Sequence, residues 1–265
     1  MDLQLMGKRA IVTGGSAGIG FEVARRLAAE GVETVVCSRD LARAQQAIDE
    51  MASSGPGRLI PAEVELRDPA SVEALVAGTV EQLGGVDILV NSGAEVSGNV
   101  PEDFANITDE FILRGFEDKF LGILRATRAV APHMRENGFG RIINFAGHTA
   151  REAGSIGAGA RNAAVANLTK ALSMELGRDG ITVNAIDPFT TVTKGFESRL
   201  ARMAERRGRT TDEHLAKISS RTSLGRLVTA EEIANFVAFL ASPLSVSLTG
   251  EVLALTGGVG DAVYL

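Results

Sequence analysis

Apolar positions along this chain alternate between two spacings. Short β-branched runs at Arg9 to Val12, Thr34 to Cys37, Arg58 to Pro61, Ile88 to Asn91, Arg141 to Phe145, Thr182 to Ile186 and Val252 to Leu255 are each followed by helical patterns, mostly of twelve or more residues. Parallel neighbours in a sheet need a crossover connection, so this alternation predicts βαβ units. The expected fold is α/β: a doubly wound, seven-stranded parallel sheet with helices on both faces, formed as one domain over residues 1–265. Sheets of this kind take ligands beyond the carboxyl ends of their strands, where strand order reverses. The residues just after each run are therefore the candidates for chemistry.

The first run leads into Thr13-Gly14-Gly15-Ser16-Ala17-Gly18-Ile19-Gly20, followed by an amphipathic pattern from about Phe21 to Glu30. Side chains at the glycines would keep phosphate oxygens away from the amide N–H groups and the positive end of the helix. A dinucleotide pyrophosphate is thus expected on Gly14, Ser16, Gly18, Ile19 and Gly20. The second run ends in Ser38-Arg39-Asp40. Arg39 fits the 2′-phosphate of NADP, or else is a surface arginine paired with Asp40; NADP is the favoured expectation.

A net charge of −6, with no lysine/arginine cluster beyond short mixed stretches such as Arg202 to Arg209, argues against a nucleic-acid surface. One cysteine, Cys37, excludes a disulfide framework and suits a reducing compartment. Met1 to Lys8 lacks a signal-peptide stretch, and charge or glycine interrupts the long apolar runs. A cytoplasmic protein with no membrane partner is expected.

Further along, Glu63-Val64, Asn91-Ser92-Gly93-Ala94, Gly140-Arg141-Ile142-Ile143-Asn144, Ile181-Thr182-Val183-Asn184-Ala185-Ile186, Gly225-Arg226-Leu227 and Leu248-Thr249-Gly250 follow in order. With the glycine turn, these resemble the short-chain dehydrogenase/reductase family over nearly the whole chain. The resemblance implies a Rossmann-like fold, hydride exchange between a nicotinamide coenzyme and a small substrate, and homo-oligomers, dimeric or tetrameric. It places Glu63 and Val64 at the adenine, counts Asn91, Gly93 and Pro188 among the coenzyme-binding residues, and gives Thr193 the nicotinamide carboxamide. Phe189 stands where the family has glycine.

The family's chemistry uses a Tyr-x-x-x-Lys pair, a serine and an asparagine. By the same resemblance Ala158 stands at the tyrosine position, Asn162 at the lysine, Gly147 at the serine and Lys119 at the asparagine. The chain's one tyrosine is Tyr264, next to its last residue. Alanine cannot supply the proton an alkoxide needs, and general acid-base help is worth about 10² to 10⁴-fold. Replacements lie nearby. His148 is a candidate proton carrier or a loop histidine bonded to backbone. Lys119 is a desolvated acid, an anchor for an anion or a solvated lysine. Asn162 is a ribose contact in place of the lost lysine, while Arg161 is expected to point outward. Lys194 to Ser223 is helix-prone and charged, and is expected to be a substrate lid whose Arg199, Arg202, Arg206 and Arg207 are solvated. Three readings follow: an NADP(H)-dependent oxidoreductase with a rebuilt proton relay, a catalytically silent partner subunit of an active homologue, or a non-redox lyase, dehydratase or isomerase. The first is preferred.

Overall fold

The computed structural model describes residues 1–51, 55–93, 104–153 and 155–261. Strands β1 (Arg9–Thr13), β2 (Glu33–Ser38), β3 (Leu59–Glu63), β4 (Ile88–Asn91), β5 (Gly140–Phe145), β6 (Ile181–Pro188) and β9 (Val252–Leu255) form one parallel sheet in the order β3-β2-β1-β4-β5-β6-β9. All seven expected strands are present. β1, β4 and β5 are buried almost end to end because helices cover both faces, which is why they appear in the sequence as continuous apolar runs.

One face carries α1 (Gly18–Ala29), α2 (Leu41–Met51) and α9 (Ala230–Ala241), packed through Val23, Leu27, Ile233 and Val237 onto Val12, Val36 and Val90. The other carries α3 (Pro69–Leu83), α5 (Gly122–Asn137) and α6 (Ile156–Leu176), whose Val76, Val130, Met134 and Leu176 pack on Ile11, Leu89 and Ile142. Register at the sheet centre is pinned by Arg9, which donates to both carboxylate oxygens of Asp87 at 2.8 Å. Asp87 is almost fully buried, so the fork fixes how β1 meets the start of β4.

Strand order reverses between β2-β1 and β4-β5, and every functional segment lies at that carboxyl-end crevice. The first helix starts at Gly18, three residues before the expected Phe21, because the glycine turn closes directly into helical backbone. Residues 194–223 hold α7 (Phe196–Glu205) and α8 (Thr211–Ser219), which cluster Phe196, Leu200, Leu215 and Ile218 against Phe189 and Leu227. A two-residue parallel pair, β7 (Thr191–Val192) with β8 (Val228–Thr229), ties this unit to the sheet end. So short a pair leaves no periodicity, and the sequence did not announce it. Tyr264 lies outside the described residues.

Candidate active site

The crevice is a cavity of about 950 Å³ whose floor is the glycine turn. Gly14 sits at φ 65°, and a Cβ there would lie 2.7 Å from the Cα of Gly93. At Gly20 a Cβ would meet the Gly14 carbonyl oxygen at 2.3 Å. Only hydrogen fits at these positions, so turn, helix start and β4 end close on one another. Gly20 acts by this packing and lies behind the cavity wall, whereas Gly14, Ser16, Gly18 and Ile19 line it. The N-cap of α1 is Ala17, which offers no side-chain acceptor, and the first-turn amides remain for an anion.

At the adenosine end, Ser38 and Arg39 line the cavity as expected, and Arg43, from α2, joins them. Arg43 was not foreseen because it belongs to the next helix. The adenine-side pair needs correction: Glu63, the last residue of β3, is exposed and turned to a separate hollow with Ile60 and Ala62. Val64, Glu65 and Leu66 line the cavity instead. Glu63 ends the edge strand at this hollow, and the chain reaches the groove only at Val64, after leaving the strand. The Glu65 carboxyl is held below its ordinary range chiefly by hydrogen bonds from Arg67.

Asn91 and Gly93 line the crevice at the end of β4. Asn91 Nδ2 donates to Asn144 Oδ1 at 2.9 Å, and Asn144 Nδ2 donates to Thr169 Oγ1 at 3.0 Å. Asn91 Oδ1 is buried with no donor among the described residues. An orphaned acceptor beside a cradle that only glycine permits fits a bound dinucleotide. Pro188 and Thr193 line the opposite wall.

The structure brings Lys119, Asn162 and His148 to one part of this cavity. Asp109–Gly115 (α4) and α5 are joined by a π-helical segment, Phe116–Leu121, and Lys119 sits on it. Such a segment is an irregularity typical of functional positions. The Lys119 ammonium donates to the Ala146 carbonyl and, at 2.7 Å, to Asn162 Oδ1. Asn162 Nδ2 in turn donates to Thr149 Oγ1 at 2.7 Å. Lysine and asparagine, on separate helices, thus meet at the cavity wall. Gly147 leaves them room: its φ is 131°, and a Cβ there would lie 2.7 Å from Asn162 Nδ2. A serine at that position would evict the asparagine. Burial, with help from nearby Arg161 and against the pull of Asp187, lowers the Lys119 pKa to about 7.

His148 opens the 3-10 turn His148–Ala150. Its Nε2 lies 3.4 Å from Glu152 and its Nδ1 3.8 Å from Asp187. Its ring meets Phe189 edge-on at 5.6 Å. Asp187, at the end of β6, is fully buried, with Arg151 Nε at 3.3 Å. Burial pushes its carboxyl above the ordinary range, against the pull of His148, Arg151 and Lys119. Phe189 fills the space where the resemblance has glycine, and Arg221 lies 4.9 Å from its ring centre while bonding Glu152 at 2.5 Å.

One arginine differs from expectation: Arg161 lines the cavity and does not point outward. Arg199 and Arg207 are exposed, as expected, although both also border the cavity, and Arg199 donates to the Thr191 carbonyl at 2.7 Å. They sit on α7 and the turn after it, whose apolar face docks on Phe189. Of the other histidines, His214 is buried in α8 and His133 is partly buried on α5; neither lines the cavity.

The family profile for enoyl-(acyl carrier protein) reductases matches residues 14–260. A putative ketoacyl reductase of Streptomyces coelicolor is 36% identical over 260 residues, covering 95% of this chain and 97% of that protein. The 3-oxoacyl-[acyl-carrier-protein] reductase FabG of Escherichia coli is 33% identical over 256 residues, 96% of this chain and 97% of that one. Among solved structures, an L-sorbose reductase from Gluconobacter frateurii complexed with NADPH and L-sorbose superposes with a TM-score of 0.91 at 28% identity, covering 99% of this chain and 100% of that chain. An actinorhodin polyketide ketoreductase with NADPH does so at 0.86 and 33%, covering 96% and 98%. With its strand order, glycine cradle and these relatives together, the chain belongs to the short-chain dehydrogenase/reductase family.

Proposed function

We propose that the protein is an NADPH-dependent oxidoreductase acting on a small carbonyl or hydroxy compound, with Lys119 and Asn162 replacing the family's usual proton donors. The observation that carries this reading is the Lys119 amine, buried in the cavity wall and bonded to Asn162 Oδ1 at 2.7 Å, with a pKa near 7. When bound, the nicotinamide supplies or accepts the hydride. The chain does the rest.

The first-turn amides of α1, with Gly14 and Gly18, hold the pyrophosphate, and Arg39 with Arg43 selects the 2′-phosphate. Pro188 and Thr193 bound the nicotinamide end, and Asn91 Oδ1 offers an acceptor that no donor among the described residues uses. An ammonium has three N–H donors. Lys119 spends two, on Ala146 and Asn162, which aims the third into the cavity. A substrate oxygen that gains negative charge takes its proton from that third position, and a pKa near 7 matches the acid to neutral pH. Asn162 fixes the amine, and Thr149 fixes Asn162. His148, between Glu152 and Asp187, is the second group on this wall able to give or take a proton.

Residues 194–223 act as a lid that brings Arg199 and Arg207 over the site. The protein works in the cytoplasm as a homo-oligomer, for which Met174, 75% exposed on α6, is a supporting apolar contact. Among the described residues no helix is long and apolar enough to cross a membrane.

The test is NADPH oxidation with a panel of small ketones, diketones and oxo acids at pH 6.5, by wild-type protein and Lys119→Met. Turnover by wild type, lowered about 10² to 10⁴-fold in the variant, supports the assignment. Equal rates in both proteins remove Lys119 from the mechanism, and absence of NADPH binding removes the oxidoreductase reading.

A further inference from the structure

Four arginines reach the cavity wall away from the adenosine end: Arg161, Arg199, Arg207 and Arg221. Their surroundings differ. Arg221 is bonded to Glu152 at 2.5 Å, Arg199 donates to the Thr191 carbonyl at 2.7 Å, and Arg207 is exposed to water. Arg161 is partly buried, no hydrogen bond or ion pair ties it to the described residues, and its Nε is sealed from solvent without an acceptor. Asp118 is the carboxylate that acts on it electrostatically, and Asp118 lies 3.4 Å from Arg67. A guanidinium withdrawn from water without an anion is costly, and such a site gains by taking one.

The place is built for that purpose. A Cβ on Gly115 would approach Arg161 Nη1 to 3.0 Å, so the glycine at the end of α4 leaves the seat in which the guanidinium rests. Ala158, one helical turn before Arg161 on α6, leaves the approach open. Arg161 and Lys119 line the same cavity, and Arg161 is near enough to act on the Lys119 amine electrostatically, so one small molecule can place an anion on Arg161 and a carbonyl oxygen on Lys119.

We infer that the substrate is an oxo acid, whose carboxylate forks onto Arg161 while its carbonyl, one or two carbons away, meets Lys119. This deepens the oxidoreductase reading and rests on it for the carbonyl half. Arg161 is then a substrate-binding residue and sets specificity through a bidentate pair that lysine cannot reproduce.

A matched pair of probes, 2-oxopentanoate and 2-oxopentanamide, tests this by calorimetric titration of the full chain with and without NADP⁺. Expected are binding of the acid about 10- to 100-fold tighter than the amide, loss of that margin in Arg161→Met, and partial recovery in Arg161→Lys. Should Arg161→Met fail to fold, the wild-type margin between acid and amide decides alone. No margin, or a margin untouched by Arg161→Met, overturns the inference, as does inorganic phosphate displacing the acid at equal concentration. Acid that binds yet is not reduced when NADPH is supplied in place of NADP⁺, read as loss of NADPH absorbance, leaves the anion site standing and removes the redox reading. Fast turnover of neutral ketones with no preference for acids does the reverse.

Discussion

Replacing Lys119 by methionine should change the pH dependence of folding stability more than its size. In the folded chain the amine is buried and its pKa falls from 10.5 to about 7. Unfolding returns it to water, where it binds its proton more tightly. Below pH 7 both states carry the charge, and the native state bears the whole desolvation cost, about 5 kcal/mol at 1.36 kcal/mol per tenfold change in proton affinity. Between pH 7 and 10.5 the unfolded state alone is protonated at this site, so the wild type gains stability with rising pH, by about 1.4 kcal/mol for each pH step. Methionine fills similar space without a charge, but it strands the Ala146 carbonyl and Asn162 Oδ1, each at about 1–3 kcal/mol. These terms nearly cancel near neutrality. The difference between the two proteins must therefore swing toward the wild type by about 4 kcal/mol from pH 7 to 10, measured by urea denaturation at half-unit steps. A stability difference that stays flat over that range would refute the desolvated amine, and with it the reason for giving Lys119 the proton transfer.

Three further outcomes follow from the same geometry. Carbonyl reduction, which needs the ammonium form, should fall about tenfold per pH step above pH 7, whereas alcohol oxidation should rise to a plateau there; a pH profile of kcat indifferent to Lys119→Met would contradict this. Arg39→Ala should weaken NADPH about 10- to 100-fold and leave NADH nearly unchanged, read from the enhancement of coenzyme fluorescence, since Arg39 and Arg43 face the adenosine end of the groove. Gly147→Ser should cost about 1–3 kcal/mol, because its Cβ would sit 2.7 Å from Asn162 Nδ2. Adding Asn162→Ala should recover part of that loss, and penalties that simply add, within about 0.5 kcal/mol, would show that the two positions do not interact.

The strands and the phosphate turn were legible because their causes are local. Strands buried on both faces become unbroken apolar runs such as Ala10-Ile11-Val12 and Ile88-Leu89-Val90. Glycines at 14 and 20 answer contacts made within the same βαβ unit or at the adjoining strand end. Absence of a tyrosine before Tyr264 was equally plain from composition. The side-chain constellation was not, because its members lie far apart along the chain: Lys119 and Asn162 are 43 residues apart, and Lys119 and Ala146 are 27 apart. Arg161 looks like an ordinary helix-surface arginine until the packing of α6 on α4 places it at the cavity wall. Glu63 failed for the opposite reason. It is the last residue of the edge strand, and the groove is reached one residue later, at Val64, where the strand has ended.

By itself, then, the order of residues determined the seven-stranded sheet, the anion-binding helix start and the lack of any tyrosine before Tyr264, since each depends on spacing of two or 3.6 residues, backbone freedom or mere presence. Tertiary structure alone decided that a lysine and an asparagine on separate helices form one hydrogen-bonded pair beneath the groove, that Gly147 makes room for it, and that Arg161 faces the cavity with no hydrogen bond to the described residues. Those outcomes depend on which helix faces approach each other and how much water their contact expels. Both are set by the whole core and by no single stretch of chain.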